Sequence, residues 1–144
     1  MKLALITIIL IAKTTLFSQS TADQIIGNWR SIEKNVIVKC FKVNQKYYGK
    51  VLWYKPFDAK AENRPIAKDE NIKYLDKVVM KDFLFDNTEW NSGKIIDITS
   101  NKTYTSFVKI NEKNQLKVTG FVLFRWLSQS LIFEKLPENF KITQ

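Results

Sequence analysis

No histidine occurs anywhere in these 144 residues. Its absence excludes Ser-His-Asp and Cys-His catalysis, and with them every zinc site built on imidazole. A single cysteine, Cys40, rules out an internal disulfide. Its neighbours Val38 and Phe41 put it on a half-buried strand with no base nearby in sequence, so it reads as a small packed hydrophobe rather than a nucleophile. The four glycines are isolated, which leaves no glycine-rich phosphate loop, and C-x-x-C, H-E-x-x-H and G-x-S-x-G are all missing. No apolar run is long enough to cross a bilayer, which takes about 20 residues. Helix-period segments, internal repeats and low-complexity tracts are also missing. Together these absences argue against an enzyme, and they call for no metal and no cofactor.

What the chain does have begins with its first twenty residues, MKLALITIILIAKTTLFSQS. Lys2 precedes an apolar stretch from Leu3 to Ala12, and small polar residues follow. A charged start, a short apolar centre and a small-residue end form the pattern of a secretory signal peptide, with cleavage expected after Ser18, Ser20 or Ala22. No cysteine lies near that boundary, so a bacterial lipid anchor is not expected there. The segment 1–20 is thus expected to be removed, leaving 21–144 as one domain in a periplasm or outside the cell, not spanning a membrane. The net charge is +9, and two of these charges, Lys2 and Lys13, leave with the leader. The remaining lysines are scattered singly. They suit a solvated basic surface, with an anionic envelope component as the alternative partner. Lysines mixed with aromatics also fit a single-strand nucleic-acid platform, but export sets nucleic acid aside.

After the leader, Thr21 and Gln24 have the spacing of a reciprocal cap for one short helical turn, which Gly27 would end. Beyond it the residues turn β-rich: Trp29 to Glu33, Val36 to Val43, Tyr47 to Tyr54, Asp76 to Phe85, Gly93 to Ile98, Lys102 to Ile110, Leu116 to Phe124 and Ser130 to Leu136. Turn signals separate them at regular spacing, among them the pair Asn91-Ser92. About eight such strands predict an all-β antiparallel barrel or sandwich. Lys55 to Tyr74 is polar, carries two of the three prolines and is too long for a hairpin turn. In a barrel it would lie across one mouth as a lid, or be a plain solvated insertion.

Several groupings invite a site. Asp82, Asp86 and Glu89 lie close together but lack the glycine turn of a calcium loop, and they read as an acidic turn. Asp97 stands between Ile96 and Ile98, where a carboxylate needs a partner, a strand end or an outer face. The aromatics Trp53, Trp90, Tyr104 and Phe121 have the character of cavity walls, as they have of a barrel core. With Asp97 and Arg125 they form the candidate ligand-binding set. For the residual case of a carboxylate or tyrosine mechanism, Asp97 and Tyr104 are the residues to test.

The order of short motifs resembles a bacterial envelope family known as domain of unknown function 2147. Its pattern is matched by Gly27-Asn28-Trp29, by Gly49-Lys50-Val51 with Trp53, by Arg64-Pro65, and by Trp90 with Gly93, Ile95 and Asp97. Lys102-Thr103-Tyr104 and Leu116, Val118, Gly120 and Phe121 complete it. Departures are Ile96 for an aromatic, Ile98 for a proline, Thr119 for an arginine, and Val43 and Tyr48 where many relatives carry two cysteines. The resemblance implies a lipocalin-like (calycin-type) barrel with no established activity. It also implies that a basic residue of the last strand, here Lys135, covers the ring of Trp29, so that Gly27, Trp29 and Lys135 close one end. A cation over an indole contributes about 0.5–2 kcal/mol. The expected function is non-enzymatic binding of a small apolar or aromatic ligand by an exported barrel. The alternative is an envelope scaffold or interaction module whose barrel is filled, since eight strands enclose room for one small ligand or for side chains alone.

Overall fold

The computed structural model describes residues 21–55, 73–98, 100–121 and 128–142. The expected leader, most of the 55–74 segment and Arg125 lie outside the described residues.

A 3-10 turn, Thr21–Ile25, leads into eight strands. They are β1 (Gly27–Ser31), β2 (Val36–Val43), β3 (Lys46–Tyr54), β4 (Val78–Phe85), β5 (Trp90–Ile96), β6 (Thr103–Ile110), β7 (Gln115–Phe121) and β8 (Ser128–Lys135). Each pairs antiparallel with its sequence neighbour, and β8 returns to β1 to close the barrel. The expected all-β barrel of about eight strands with a short N-terminal helical turn is what the chain forms.

Local chemistry explains the hairpins. Asn44 and Gln45 both take positive φ, 47° and 67°, between the paired residues Val43 and Lys46. Two left-handed residues make the tight turn whose twist suits flanking strands. At the β4–β5 turn, the Asp86 carboxylate accepts from the backbone N–H groups of Thr88 (3.0 Å) and Glu89 (2.9 Å). These bonds hold its pKa below the ordinary value. The Asn91-Ser92 pair departs from expectation. Its two residues lie inside β5, where Ser92 adopts φ 58° at a register shift against β6. A left-handed residue can form a bulge within a strand as well as a turn between strands, so β5 begins at Trp90 rather than Gly93.

Directly opposed residues share a face of the wall. Trp29 opposes Val38 and Lys135, and Gly27 opposes Cys40. Alternation then places Val36, Val38 and Cys40 inside, with Val51 and Gly49 opposite them on β3. Trp29, Cys40, Val51, Phe83 and Val108 are fully buried there. Burial pushes the Cys40 thiol up to about 12, against a smaller lowering by the Lys135 ammonium. At neutral pH it is therefore an inert packed group, not a thiolate.

Phe83 and Gly93 fit each other at close range. A Cβ built on Gly93 would lie 2.3–2.5 Å from the Phe83 ring. Only a residue without a side chain lets that ring lie against the β5 backbone. Gly93→Ala is accordingly expected to destabilise by about 1–3 kcal/mol, the usual cost of overpacking. In a denaturant double-mutant cycle the same change should cost less in a Phe83→Leu background; equal costs in both backgrounds would contradict the close contact.

Candidate functional site

The two ends of the barrel differ, and the N-terminal turn causes the difference. Five residues of 3-10 turn leave the carbonyls at its end without a partner inside the turn. The wall supplies the donors. The Trp90 indole N–H donates to the Ala22 carbonyl (3.0 Å), the Lys135 ammonium to Gln24 (3.0 Å) and the Trp29 indole N–H to Ile25 (2.7 Å). The Ile26 N–H caps Asp23 at 3.0 Å. The Asp23 carboxylate accepts from the Tyr47 hydroxyl at 2.7 Å and from Lys42 at 3.0 Å. Burial first, then the bond to Asp23, raises the Tyr47 pKa.

Lys135 also stands 5.3 Å from the centre of the Trp29 ring. Gly27 sits beneath it with φ 133°, and a Cβ there would lie 3.3 Å from Lys135 Cε. Positive φ and a crowding cation both favour glycine at that position. Trp90, expected as a ligand contact, is buried in this closed end. Its ring lies 4.9 Å from Phe85 and edge-on to Tyr47 at 6.3 Å.

The opposite end is built from the ends of β1, β3, β5 and β7 and the starts of β2, β4, β6 and β8. Tyr104, opposite Ile95, lies on the inner face two residues from the buried Ser106. Asp97 follows the last residue of β5. Its Oδ1 accepts from the Ser100 N–H (3.2 Å), its N–H donates to the Lys102 carbonyl (2.8 Å), and its carbonyl accepts from Asn101 (2.8 Å). The aspartate thus shapes the β5–β6 turn at the rim.

Trp53 and Phe121 fall elsewhere. A register shift in the β2–β3 ladder makes Val51 oppose Val38 while Trp53 opposes Ile37. Ile37 in turn opposes Arg30, the outward neighbour of Trp29. Trp53 therefore lies on the outer wall, and the inner place goes to Tyr54, opposite Val36. Phe121 opposes Thr105, one step from the inward Ser106–Gly120 pair, so it too faces outward, 6.5 Å from Phe107. Among the described members of the expected ligand set, Asp97 and Tyr104 both lie towards the end opposite the N-terminal turn, while Trp53, Trp90 and Phe121 do not join them.

Tyr54 and Leu131 lie at this end outside the expected ligand set. Tyr54 is buried with its ring edge-on to Tyr74 at 4.7 Å, and Lys73 and Lys77 lie 4.8 and 5.8 Å from the Tyr74 ring centre. Burial, followed by Tyr74 and Asp97, raises the Tyr54 pKa. Leu131 opposes the inward Val118, yet it is 50% exposed. The cause lies in strand length. β1 ends at Ser31, opposite Phe133, so the first residues of β8 have no β1 partner. Leu131, interior-facing by its register, thus lies beyond the last β1 partner of β8 and is half exposed. Counting inward by twos from Lys135 would have found it.

Residues 27–135 match a family model described as "Uncharacterized protein conserved in bacteria (DUF2147)". The chain belongs to this family. A solved structure, described as protein HP1028 from the human pathogen Helicobacter pylori and as belonging to the lipocalin family, is similar to it with a TM-score of 0.57. The identity is 17%, over 79% of this chain and 84% of that one. At that identity the likeness shows the fold alone, a lipocalin-like barrel. No curated protein matches the chain. For this member of the family, the Gly-x-Trp motif has a physical reading: glycine admits the cation, and the indole holds the Ile25 carbonyl.

The two indole bonds can be separated from the bulk of their rings. Trp90→Phe and Trp29→Phe each keep a buried aromatic but leave a carbonyl of the turn without its donor. Each is expected to cost about 1–3 kcal/mol by thermal or denaturant unfolding. Unchanged stability in both variants would show that the turn does not depend on these donors.

Proposed function

We propose that this protein is an exported, non-catalytic binder of one small apolar or aromatic ligand, which enters at the end opposite the N-terminal turn. The observation that carries the reading is the half-exposed Leu131 on the inner face. Where the interior is filled, inward side chains are buried, as Trp29, Phe83 and Val108 are. Here a large apolar side chain faces inward and still meets water, which leaves apolar surface for a guest to cover. Tyr54 and Tyr104 would give that guest ring faces and hydroxyls, and Asp97 lies at the rim.

Export enters the proposal through the leader, and the closed end adds a constraint. Cleavage after Ala22 would remove the carbonyl that the Trp90 indole binds. Cleavage after Ser18 or Ser20 keeps it. The intact mass of protein recovered from the periplasm should therefore correspond to a chain that retains Thr21 and Ala22. A mass beginning at Asp23 would exclude this placement.

Ligand entry is tested by titrating the protein with N-phenyl-1-naphthylamine, a neutral apolar fluorophore, and by native mass spectrometry of protein taken from its own envelope. Leu131→Lys puts a charge where apolar contact is needed. It is expected to weaken probe binding roughly tenfold, about 1.4 kcal/mol, with little change in melting temperature. Trp53→Ala, on the outer wall, should leave binding unaltered. A probe that binds Leu131→Lys as tightly as the original chain, or a bare mass with no probe binding, would sink the carrier reading.

A further inference from the structure

The outer wall carries a charge arrangement that folding alone does not favour. Lys81 directly opposes Lys94 across β4 and β5, and Lys39 opposes Lys50 across β2 and β3. Like charges set opposite each other on neighbouring strands are destabilising. A third opposed pair, Lys109 and Lys117, shows how the barrel can relieve the repulsion: Glu89 lies 3.1 Å from the Lys109 ammonium. The wall of β2–β5 has less relief. Lys50 is matched by Asp76 at 2.7 Å and Lys46 by Asp82 at 3.2 Å. Lys39, Lys81 and Lys94 form no ion pair with any carboxylate among the described residues.

Apolar side chains lie between these lysines. Phe41 and Tyr48 stack at 5.8 Å on the same outer face. With Val43, Val78 and Lys81 they line a shallow groove of about 400 Å³. Val43 is 46% exposed, and Leu84, outward on β4 near Lys81, is 43% exposed. The Tyr48 hydroxyl donates to Asp82 at 3.0 Å, which fixes one side of the groove.

We propose that the outer wall of β2–β5 docks on an anionic lipid leaflet. Lys39, Lys81 and Lys94, which form no ion pair among the described residues although the Asp82 charge acts on Lys81 at longer range, complement anionic headgroups, and each basic side chain near such a surface favours binding. The exposed Leu84 and the groove lined by Phe41, the exposed Val43, Tyr48 and Val78 decide against a hydrated acidic polymer, which offers apolar side chains nothing. The boundary between headgroups and acyl chains accepts them, while lysine stems reach past to the phosphates. The surface acts whether or not the open end takes a ligand.

Co-sedimentation with vesicles of equal parts phosphatidylglycerol and phosphatidylcholine, against pure phosphatidylcholine, tests this. The full mature chain should bind the anionic vesicles, bind the neutral ones far less, and dissociate as salt is raised. Lys81→Gln with Lys94→Gln should weaken vesicle binding roughly thirtyfold, from the two lysines together. The same double variant should melt at or above the temperature of the original chain, because the opposed charges are gone. Val43→Ser with Leu84→Ser should weaken binding while leaving its salt dependence in place. Equal binding to neutral vesicles, undiminished binding by the double lysine variant, or retention on an acidic polysaccharide gel with no vesicle binding would each overturn the proposal.

Discussion

A peptide carbonyl that leaves water must find a donor, and in this barrel that requirement organises one whole end. The 3-10 turn from Thr21 to Ile25 closes on itself through the Ile26 N–H to Asp23, and Trp29, Trp90 and Lys135 each donate to a further carbonyl of the turn. Donors come from β1, β5 and β8, strands far apart in sequence, and Tyr47 of β3 adds a bond to the Asp23 side chain. The turn cannot dock unless these strands are already in register, and it ties them together once it has docked. Lys135 contributes twice, as a donor to Gln24 and as a cation over the Trp29 ring. A single ammonium can do both because Gly27 leaves space for its stem.

Closing one end this way has a consequence at the other. Large side chains that fill the interior cluster below the middle of the barrel, where Phe83 lies against Gly93 and Trp90 against Phe85. Towards the end opposite the turn the inward positions carry Tyr54, Tyr104 and Leu131, and β1 stops while β8 continues. A shorter first strand thus leaves Leu131 half exposed on the inner face. Asp97 serves this end structurally by fixing the β5–β6 turn.

The sequence made the strands legible because β-branched and aromatic residues cluster between turn residues. The closing pair of Trp29 and Lys135 was expected from the family resemblance, and the two residues do lie together. The faces were harder. Alternation sorts a strand into two sides but does not say which side is inner, and one bulge inverts every residue beyond it. The shift beside Val51 sends Trp53 outward and Tyr54 inward, and nothing in the letters marks it. Phe121 was misplaced for a simpler reason: it follows Gly120, an inward position, and adjacent residues take opposite faces. Trp90 was assigned to a ligand because a tryptophan's two common roles, packing and recognition, look alike until its N–H is seen bonded to Ala22.

Charge shows the same limit from the other direction. Scattered lysines in the sequence read as general solubility, because spacing along one strand does not reveal what stands opposite on the next. Register supplies that information. Lys81 and Lys94 are thirteen positions apart in the chain yet directly opposed in the wall. A barrel selected only for solubility gains nothing by setting like charges face to face, when one carboxylate, as at Lys109, would stabilise it. On the proposed docking surface, that repulsion beside exposed Val43 and Leu84 is relieved when anionic headgroups cover it.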